Sequence, residues 1–168
     1  WTDKNIEVEK MKKINELKPK IFIGFPFDMV MIGKFAEEAK LFINSPRAII
    51  TYGETLSDEK RLFLERCFRA RVFNFHSMHE CSAMISQCEK GSLHLIEDFA
   101  YMEILDDNGK PSKEGNLVGT SFYNYSMPLI RYQVKDRVEL SETRCSCGRY
   151  FRVVKKILGK QCDYIETP

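Results

Sequence analysis

The feature that most restricts the fold of this chain is an alternation of short apolar runs with helical patterns between residues 21 and 75. Residues 21–23, 48–52 and 72–75 are rich in β-branched and aromatic side chains, which is typical of buried strands. The order strand, helix, strand, helix, strand predicts parallel strands joined by right-handed crossovers. Because ligands of such sheets bind where strands end, we expect the loops at 53–54 and 74–80 to lie side by side.

Three helical patterns accompany these strands. The first covers residues 3–18, where apolar positions recur at a spacing of three among Lys and Glu. The second ends near residues 44–46, and its apolar face is predicted to consist of Phe27, Val30, Met31 and Phe35. The third begins after Ser57, a residue type that commonly caps helices. Its predicted apolar face consists of Leu62, Phe63, Cys67 and Phe68.

The pattern changes after Gly91, where short strand-like segments replace the helices. These segments are residues 93–96, 101–105, 117–122, 129–134 and 137–140. Asn108-Gly109 tolerates the positive φ angles of a tight turn and predicts a hairpin. The sequence therefore predicts an α/β chain: a parallel βαβαβ half over residues 1–90, followed by a small antiparallel sheet or partial barrel over residues 91–157.

The residues that most strongly suggest chemistry lie between positions 74 and 98. This stretch holds all three histidines of the chain (His76, His79 and His94) and two of its six cysteines. Such close clustering of a rare residue type predicts a functional site rather than scattered structural use.

A metal site is one interpretation of the cysteines and histidines. The ligand set consists of Cys88, His94, Cys145 and Cys147. Three thiolates and one imidazole suit a closed tetrahedral zinc site, which leaves no open position for catalysis. The alternative is that the Cys-x-Cys pair arises by chance and that Cys88 is a small buried apolar residue. His76, His79 and Cys81 are rival ligands.

Composition excludes several classes of protein. The formal net charge is +2, and acidic and basic residues are interspersed, so the chain lacks the basic stripe of a nucleic-acid-binding protein. No apolar run is long enough for a membrane span. Six cysteines in 168 residues fit unpaired thiols better than a secreted disulfide scaffold, which favours a cytoplasmic location.

Five segments in order resemble one enzyme family. They are residues 52–56, Cys88 with residues 93–98, residues 127–132, residues 145–149 and residues 159–165. On these segments the chain is similar to the phenylacetate–CoA ligase-like, CapK-like branch of the adenylate-forming superfamily. The resemblance implies an enzyme that converts a carboxylate and ATP, with Mg²⁺, to an acyl-adenylate. The acyl group then passes to a thiol, for which CoA is a candidate, and capsular polysaccharide biosynthesis is the implied pathway.

The resemblance also implies roles for individual residues. Gly53 and Glu54 would line the adenine pocket, Asn74 would face the adenine edge, and His76 would stack on the base. Glu80 would bind Mg²⁺ with His79 near the α-phosphate, whereas Asp136 and Lys160 would hold the ribose hydroxyls. The same branch carries a cysteine/histidine set at Cys88, His94, Cys145 and Cys147, which strengthens the zinc interpretation.

The chain departs from the family pattern at several positions. His79 replaces a hydroxyl residue, Lys135 replaces a glycine, and Cys162 replaces the acid of the hinge. The changes at His79 and Cys162 favour a second hypothesis, in which the chain is a degenerate, zinc-stabilised scaffold or binding module of the same pathway. The retained Gly53, Glu54, Glu80 and Asp136 favour the ligase, which we prefer. Partners under either hypothesis are a nucleotide and a small carboxylate, with a homodimer as a candidate assembly.

The resemblance further implies that these residues are an internal part of a longer enzyme. The phosphate-binding loop is expected before residue 1, and residues 158–168 are expected to be a hinge toward a C-terminal domain with the catalytic lysine. We therefore expect the 168 residues alone to be inactive.

Overall fold

The computed structural model of the chain describes residues 4–160, and the side chains of residues 6–159. These residues divide into two compact units, one ending at Asn74 and the other beginning at Phe75.

The first unit alternates helices and strands, as the sequence predicts. Its elements are α1 (Lys4–Leu17), β1 (Ile21–Gly24), α2 (Pro26–Glu38), β2 (Ala48–Thr51), α3 (Asp58–Phe68) and the first part of β3 (Arg71–Ser77). β1 pairs in parallel with β2, and β2 pairs in parallel with β3. The predicted parallel βαβαβ arrangement is therefore confirmed.

The helices of this unit follow the sequence in their positions but not in the faces that they bury. Ser57 accepts a hydrogen bond from the backbone N–H of Lys60 at 3.2 Å, which confirms the predicted cap of α3. The prediction for α2 is wrong in two respects, since the helix ends at Glu38 and Phe27 and Met31 are exposed. Its buried residues are Pro26, Met29, Gly33 and Ala36.

The reason lies in the packing of α2 against α3. A Cβ atom added at Gly33 would lie 2.8 Å from the Phe63 ring, so the two helices approach at this glycine. Close approach at Gly33 turns that face of α2 inward. On α3, the buried residues are Leu64 and Phe68, whereas Leu62 is exposed. The spacing of apolar residues within α2 does not show which of its residues contacts α3.

The second unit is an antiparallel sheet. Its strands are the end of β3, β4 (Met84–Gln87), β5 (Leu93–Leu95), β6 (Ala100–Leu105), β7 (Glu114–Ser121), β8 (Tyr132–Leu140) and β9 (Val153–Lys160). They are hydrogen-bonded in the order β3, β4, β5, β9, β8, β7, β6. The predicted antiparallel second half is confirmed. The sequence did not predict β4 or β9, and the two strands expected at 129–134 and 137–140 are the single strand β8.

The sequence suggests a boundary at residue 90, whereas the units divide after Asn74. The pairing of β4 explains this difference. Residues 75–77 of β3 pair antiparallel with β4, and β4 pairs with β5, so residues 75–90 belong with the antiparallel sheet. Residues 158–160 complete β9. Residues 161–168, where most of the predicted hinge lies, are outside the described residues. The assignment of these ranges to domains of a larger protein stays a prediction.

β7 passes close to the turn between β3 and β4. A Cβ atom at Gly119 would overlap the carbonyl oxygen of Ser82, so only glycine fits at this position. Ser82 and Ala83 are fully buried as a result. This contact fixes the position of the turn over residues 78–83. Among residues 4–160, no helix is long and apolar enough to cross a membrane.

Candidate functional site

Four soft ligands from three places in the second unit meet at one point. Cys88 follows β4, His94 lies on β5, and Cys145 and Cys147 lie between β8 and β9. Their ligand atoms all lie within 4.8 Å of one another. The structure thus brings together the four residues that the sequence selected.

The distances between these atoms match those around a tetrahedral zinc ion. Bonds of about 2.3 Å to sulfur and 2.0 Å to nitrogen place two sulfurs about 3.8 Å apart, and a sulfur and a nitrogen about 3.5 Å apart. The Sγ atoms of Cys88 and Cys145 are 3.7 Å apart. The Sγ of Cys147 and the Nε2 of His94 are 3.5 Å apart. The donor set and its spacing therefore fit zinc.

His94 is oriented for this role by a hydrogen bond at its other nitrogen. Its side chain is buried, and Nδ1 lies 3.2 Å from the carbonyl oxygen of Phe151, to which it can donate. Arg152 holds this segment in place, because Glu97 accepts from its backbone N–H at 3.0 Å and from its Nε at 2.8 Å. A carbonyl partner at Nδ1 leaves Nε2 free to bind a metal.

The thiols of the cluster differ in acidity. A hydrogen bond from the Ser92 hydroxyl lowers the pKa of Cys145 to about 7. The backbone N–H of Arg149 lowers the pKa of Cys147, whereas burial raises the pKa of Cys88. Since zinc binds thiolates, the lowered pKa values reduce the cost of deprotonating two of the three ligands near neutral pH.

The rival ligands lie outside this cluster. The group of potential metal ligands found among the described residues does not include His76, His79 or Cys81. Cys81 adopts a left-handed backbone conformation in the turn after β3, and its Sγ lies 3.6 Å from the carbonyl oxygen of His79.

Gly53 and Glu54 follow β2 in the first unit. Gly53 has φ +77°, and a Cβ atom there would overlap the ring of Phe25, so both conformation and space require glycine. The carboxylate of Glu54 accepts a hydrogen bond from the backbone N–H of Phe27 at 3.2 Å. Phe27 lies in the first turn of α2, whose N-cap residue provides no side-chain hydrogen bond. Glu54 thus caps α2 from a distant loop, and its adenine-pocket role stays a prediction.

Asn74 lies on β3, within the strand predicted at 72–75, and it is in register with Thr51 at the end of β2. This pairing places Asn74 beside the strand end that leads to Gly53, as the parallel arrangement predicts. β3 continues through Ser77, so His76 is also a strand residue.

Glu80 lies half-buried in the turn after β3, next to the exposed His79. Asn124 donates to the backbone carbonyl of Glu80 at 3.4 Å, and the Tyr132 hydroxyl lies 3.5 Å from its carboxylate. Neither partner carries a positive charge. The role of Glu80 as an Mg²⁺ ligand stays a prediction.

His76 and Asp136 form a pair that the sequence did not predict. Nε2 of His76 lies 3.2 Å from Oδ2 of Asp136, whose side chain is only 5% exposed. His76 is expected from the resemblance to stack on a base, yet its ring edge contacts the carboxylate that is expected to hold a ribose. Among the described residues, no other group donates to this carboxylate.

Asp136 follows a strained residue in an irregular part of β8. The register between β7 and β8 shifts between Asn116 and Val118, and Lys135 has φ +65°. A positive φ is unfavourable for a residue with a side chain and natural for glycine. The glycine of the family pattern at this position is explained by its backbone conformation, which Lys135 adopts at a cost.

We expect Lys135→Gly to leave the free energy of unfolding unchanged or to raise it by up to about 1 kcal/mol, because glycine relieves this strain. Lys135→Val should lower it by about 1–2 kcal/mol, since β-branched residues tolerate positive φ poorly. Urea denaturation of the three proteins measures both effects. Gln133→Gly is the matched control on β8, where glycine should cost about 0.5–1 kcal/mol. Equal losses for both glycine variants would contradict the strain at Lys135.

Two predicted positions lie wholly or partly outside the described residues. The backbone of Lys160 pairs with Asp136 across β8 and β9, but its side chain is not described. Cys162 lies outside the described residues.

Sequence reasoning missed Gly119, Asn124, Tyr132 and Phe151, which position the candidate site residues. Gly119 gave a signal, because an isolated glycine within an apolar strand pattern indicates close backbone approach. Asn124 and Phe151 act through long-range contacts that leave no local pattern.

No family model matches the chain. Protein CapK of Staphylococcus aureus is 26% identical over 159 residues, which are 94% of this chain and 35% of that protein. The phenylacetate-coenzyme A ligase of Thermus thermophilus is 36% identical over 81 residues, which are 46% of this chain and 18% of that protein. The chain therefore spans 35% or less of the length of these relatives.

Solved structures of CoA ligases share the fold. A crystal structure of 2-hydroxyisobutyryl-CoA ligase in complex with R3-HIB-AMP has a TM-score of 0.83 at 21% identity, over 99% of this chain and 38% of that one. An anthranilate CoA ligase in complex with anthranoyl-AMP has a TM-score of 0.68 at 14% identity, over 98% of this chain and 34% of that one. At such identities the likeness establishes the fold.

Proposed function

Because this chain belongs to the adenylate-forming CoA ligase-like superfamily, we propose that it forms the nucleotide-binding and metal-binding part of an ATP-dependent carboxylate ligase. This activity is proposed for the whole protein. The chain covers 35% or less of the length of CapK and of the phenylacetate-coenzyme A ligase. From the likeness to CapK we further propose that the whole protein acts in capsular polysaccharide biosynthesis.

The proposed reaction has two steps. A carboxylate oxygen attacks the α-phosphorus of ATP, the bond to the β-phosphate oxygen breaks, and pyrophosphate leaves. A thiol, with CoA as the proposed acceptor, then attacks the acyl carbon, loses its proton and displaces AMP. Both steps depend on holding the nucleotide in one orientation while negative charge on the phosphates is balanced.

The observation that carries the proposal is the state of the Asp136 carboxylate. The residue is 3% exposed, yet only one described group donates to it. Buried carboxylates normally have several hydrogen-bond partners. Among the described residues, the hydrogen bond from His76 involves one carboxylate oxygen and leaves the other for a further donor. A ribose hydroxyl would supply the missing donor.

Glu80 has the chemistry expected of an Mg²⁺ ligand. Mg²⁺ prefers carboxylate oxygens, and when bound it would neutralise negative charge on the phosphates. The neighbouring His79 is exposed and would donate a hydrogen bond near the α-phosphate. The turn that carries both residues is fixed on β7 through Ser82 and Gly119.

The four-ligand cluster completes the proposal as a structural zinc site. Its closed set of three thiols and one imidazole leaves no position for substrate. Five free cysteines among the described residues support a reducing compartment, and we propose the cytoplasm. A homodimer remains the proposed assembly.

We expect the full-length protein to release pyrophosphate with a suitable carboxylic acid and Glu80→Gln to reduce the rate by about 10²-fold or more, because an amide is a poor Mg²⁺ ligand. The measurement is pyrophosphate release across a broad panel of acids. Glu89→Gln is the matched control, since Glu89 is exposed and forms a surface pair with Arg149. The 168 residues alone are expected to release none.

One observation favours the alternative, a degenerate scaffold or binding module of the same pathway. His76 already occupies one oxygen of Asp136, the group proposed to bind ribose. If the full-length protein shows no Glu80-dependent pyrophosphate release but binds a partner from the pathway, the scaffold hypothesis is established and the ligase hypothesis is overturned.

A further inference from the structure

His76 and Asp136 are brought together from distant parts of the second unit. His76 lies on β3 opposite Ile85 of β4, and Asp136 lies on β8 opposite Lys160 of β9. The Nε2–Oδ2 distance is 3.2 Å, and the Asp136 side chain is 5% exposed against 28% for His76. A hydrogen bond at a carboxylate this deeply buried is shielded from competition by water.

The chemistry of the pair fixes its polarity. An ionised carboxylate only accepts hydrogen bonds, so Nε2 of His76 carries the proton. The bond holds one carboxylate oxygen and limits rotation of the side chain. The other oxygen is then held in a defined direction. Asp136 can thereby accept one hydrogen bond from His76 and another from a ligand.

We propose that His76 is a positioning residue that orients Asp136 toward the hydroxyls of a nucleotide ribose, and that its donor, rather than its aromatic ring, is what nucleotide binding requires. This inference rests on the proposed nucleotide site. It assigns His76 a different role from the stacking ring that the resemblance implies.

The position of His76 extends this role to Glu80. β3 ends at Ser77, and the turn that carries Glu80 follows directly. Since His76 is hydrogen-bonded to β8, it connects that turn to the strand of Asp136. The two proposed nucleotide-binding carboxylates are therefore held by one side chain.

Two substitutions distinguish the contribution of the His76 N–H donor from that of its aromatic ring. His76→Gln keeps an N–H donor at a similar distance from the backbone and removes the ring, whereas His76→Phe keeps a ring and removes the donor. The probes are AMP and 2′,3′-dideoxy-AMP, which lacks both ribose hydroxyls. The ratio of their dissociation constants, measured by calorimetry on the full chain, reports recognition of the hydroxyls.

We expect the unmodified chain to prefer AMP over the dideoxy compound by about 10-fold or more, the usual range for hydrogen bonds to a charged group. His76→Gln should keep this preference, and His76→Phe should lose most of it. The proposal would be overturned in favour of ring stacking if His76→Phe kept the preference for AMP while His76→Gln bound both probes weakly. Failure of the unmodified chain to bind AMP would also overturn it.

A measurement on the unmodified protein avoids any effect of substitution on folding. Nitrogen NMR of the three histidines should give a protonated Nε2 for His76 that shifts on addition of AMP but not of the dideoxy compound. A proton only on Nδ1 would overturn the inference. The two proposals can fail separately. If the full-length protein releases no pyrophosphate but the preference for AMP still depends on the His76 donor, the ligase activity is refuted and the role of His76 stands.

Discussion

Removal of metal from the cluster of Cys88, His94, Cys145 and Cys147 is expected to unfold much of the second unit. Structural zinc in small sites supplies on the order of 10 kcal/mol, which is comparable to the whole stability of a typical domain. We expect the purified chain to contain about one zinc ion, and Cys147→Ser or a chelator to cause a loss of folding free energy of this order. Elemental analysis and urea denaturation measure the two effects.

The topology explains why the loss should be large. β5 and β9 share only two register pairs, Leu93 with Val154 and His94 with Val153. This short ladder joins strands β3 to β5 to strands β6 to β9, and the metal ligands lie on both sides of it. Without metal, few backbone hydrogen bonds would hold the sheet together here.

Cys81→Ser is the matched control for this prediction. Cys81 is a free cysteine of the same unit and lies outside the cluster. Its substitution should leave the zinc content unchanged and alter the free energy of unfolding by less than about 1 kcal/mol. A stable chain without metal, or equal losses for Cys81→Ser and Cys147→Ser, would contradict the zinc site.

The second large effect is expected at Gly119. Gly119→Ala should lower the free energy of unfolding by about 3 kcal/mol or more, because the added methyl group overlaps the carbonyl oxygen of Ser82. A backbone atom cannot rotate away as a side chain can, so β7 or the turn over residues 78–83 must move. Displacement of the turn would also move Glu80, and activity should fall with stability.

Gly109→Ala is the matched control. Gly109 has φ +73°, but no atom lies within 4 Å of an added Cβ. The cost should therefore be limited to about 1 kcal/mol from the left-handed backbone. Thermal and urea unfolding of both variants test the comparison, and a smaller loss at Gly119 than at Gly109 would show that the contact is not rigid.

The sequence was most informative where local patterns carry the structure. The parallel strands of the first unit follow from short apolar runs alternating with helices, and the cap at Ser57 follows from residue type. The four candidate metal ligands were selected from their residue types and spacing and from the family resemblance, and the structure brings them together. Each signal can be recognised in short segments of the sequence.

The sequence was least informative where distant contacts decide the structure. The buried face of α2 depends on the approach of Phe63 to Gly33 from another helix. The pairing of His76 with Asp136 depends on an irregular strand and on residues far apart in the chain. Such contacts are set by tertiary packing, which no local window contains.

The hydrogen bond from the Phe27 backbone to Glu54 has a consequence for comparing relatives of this chain. A glutamate retained at this position preserves a helix cap whether or not the protein still turns over a nucleotide. Its presence therefore cannot distinguish active enzymes from relatives that have lost catalysis. Asp136 is more diagnostic, because its second oxygen has no partner in the described structure and would be free to change once no nucleotide binds.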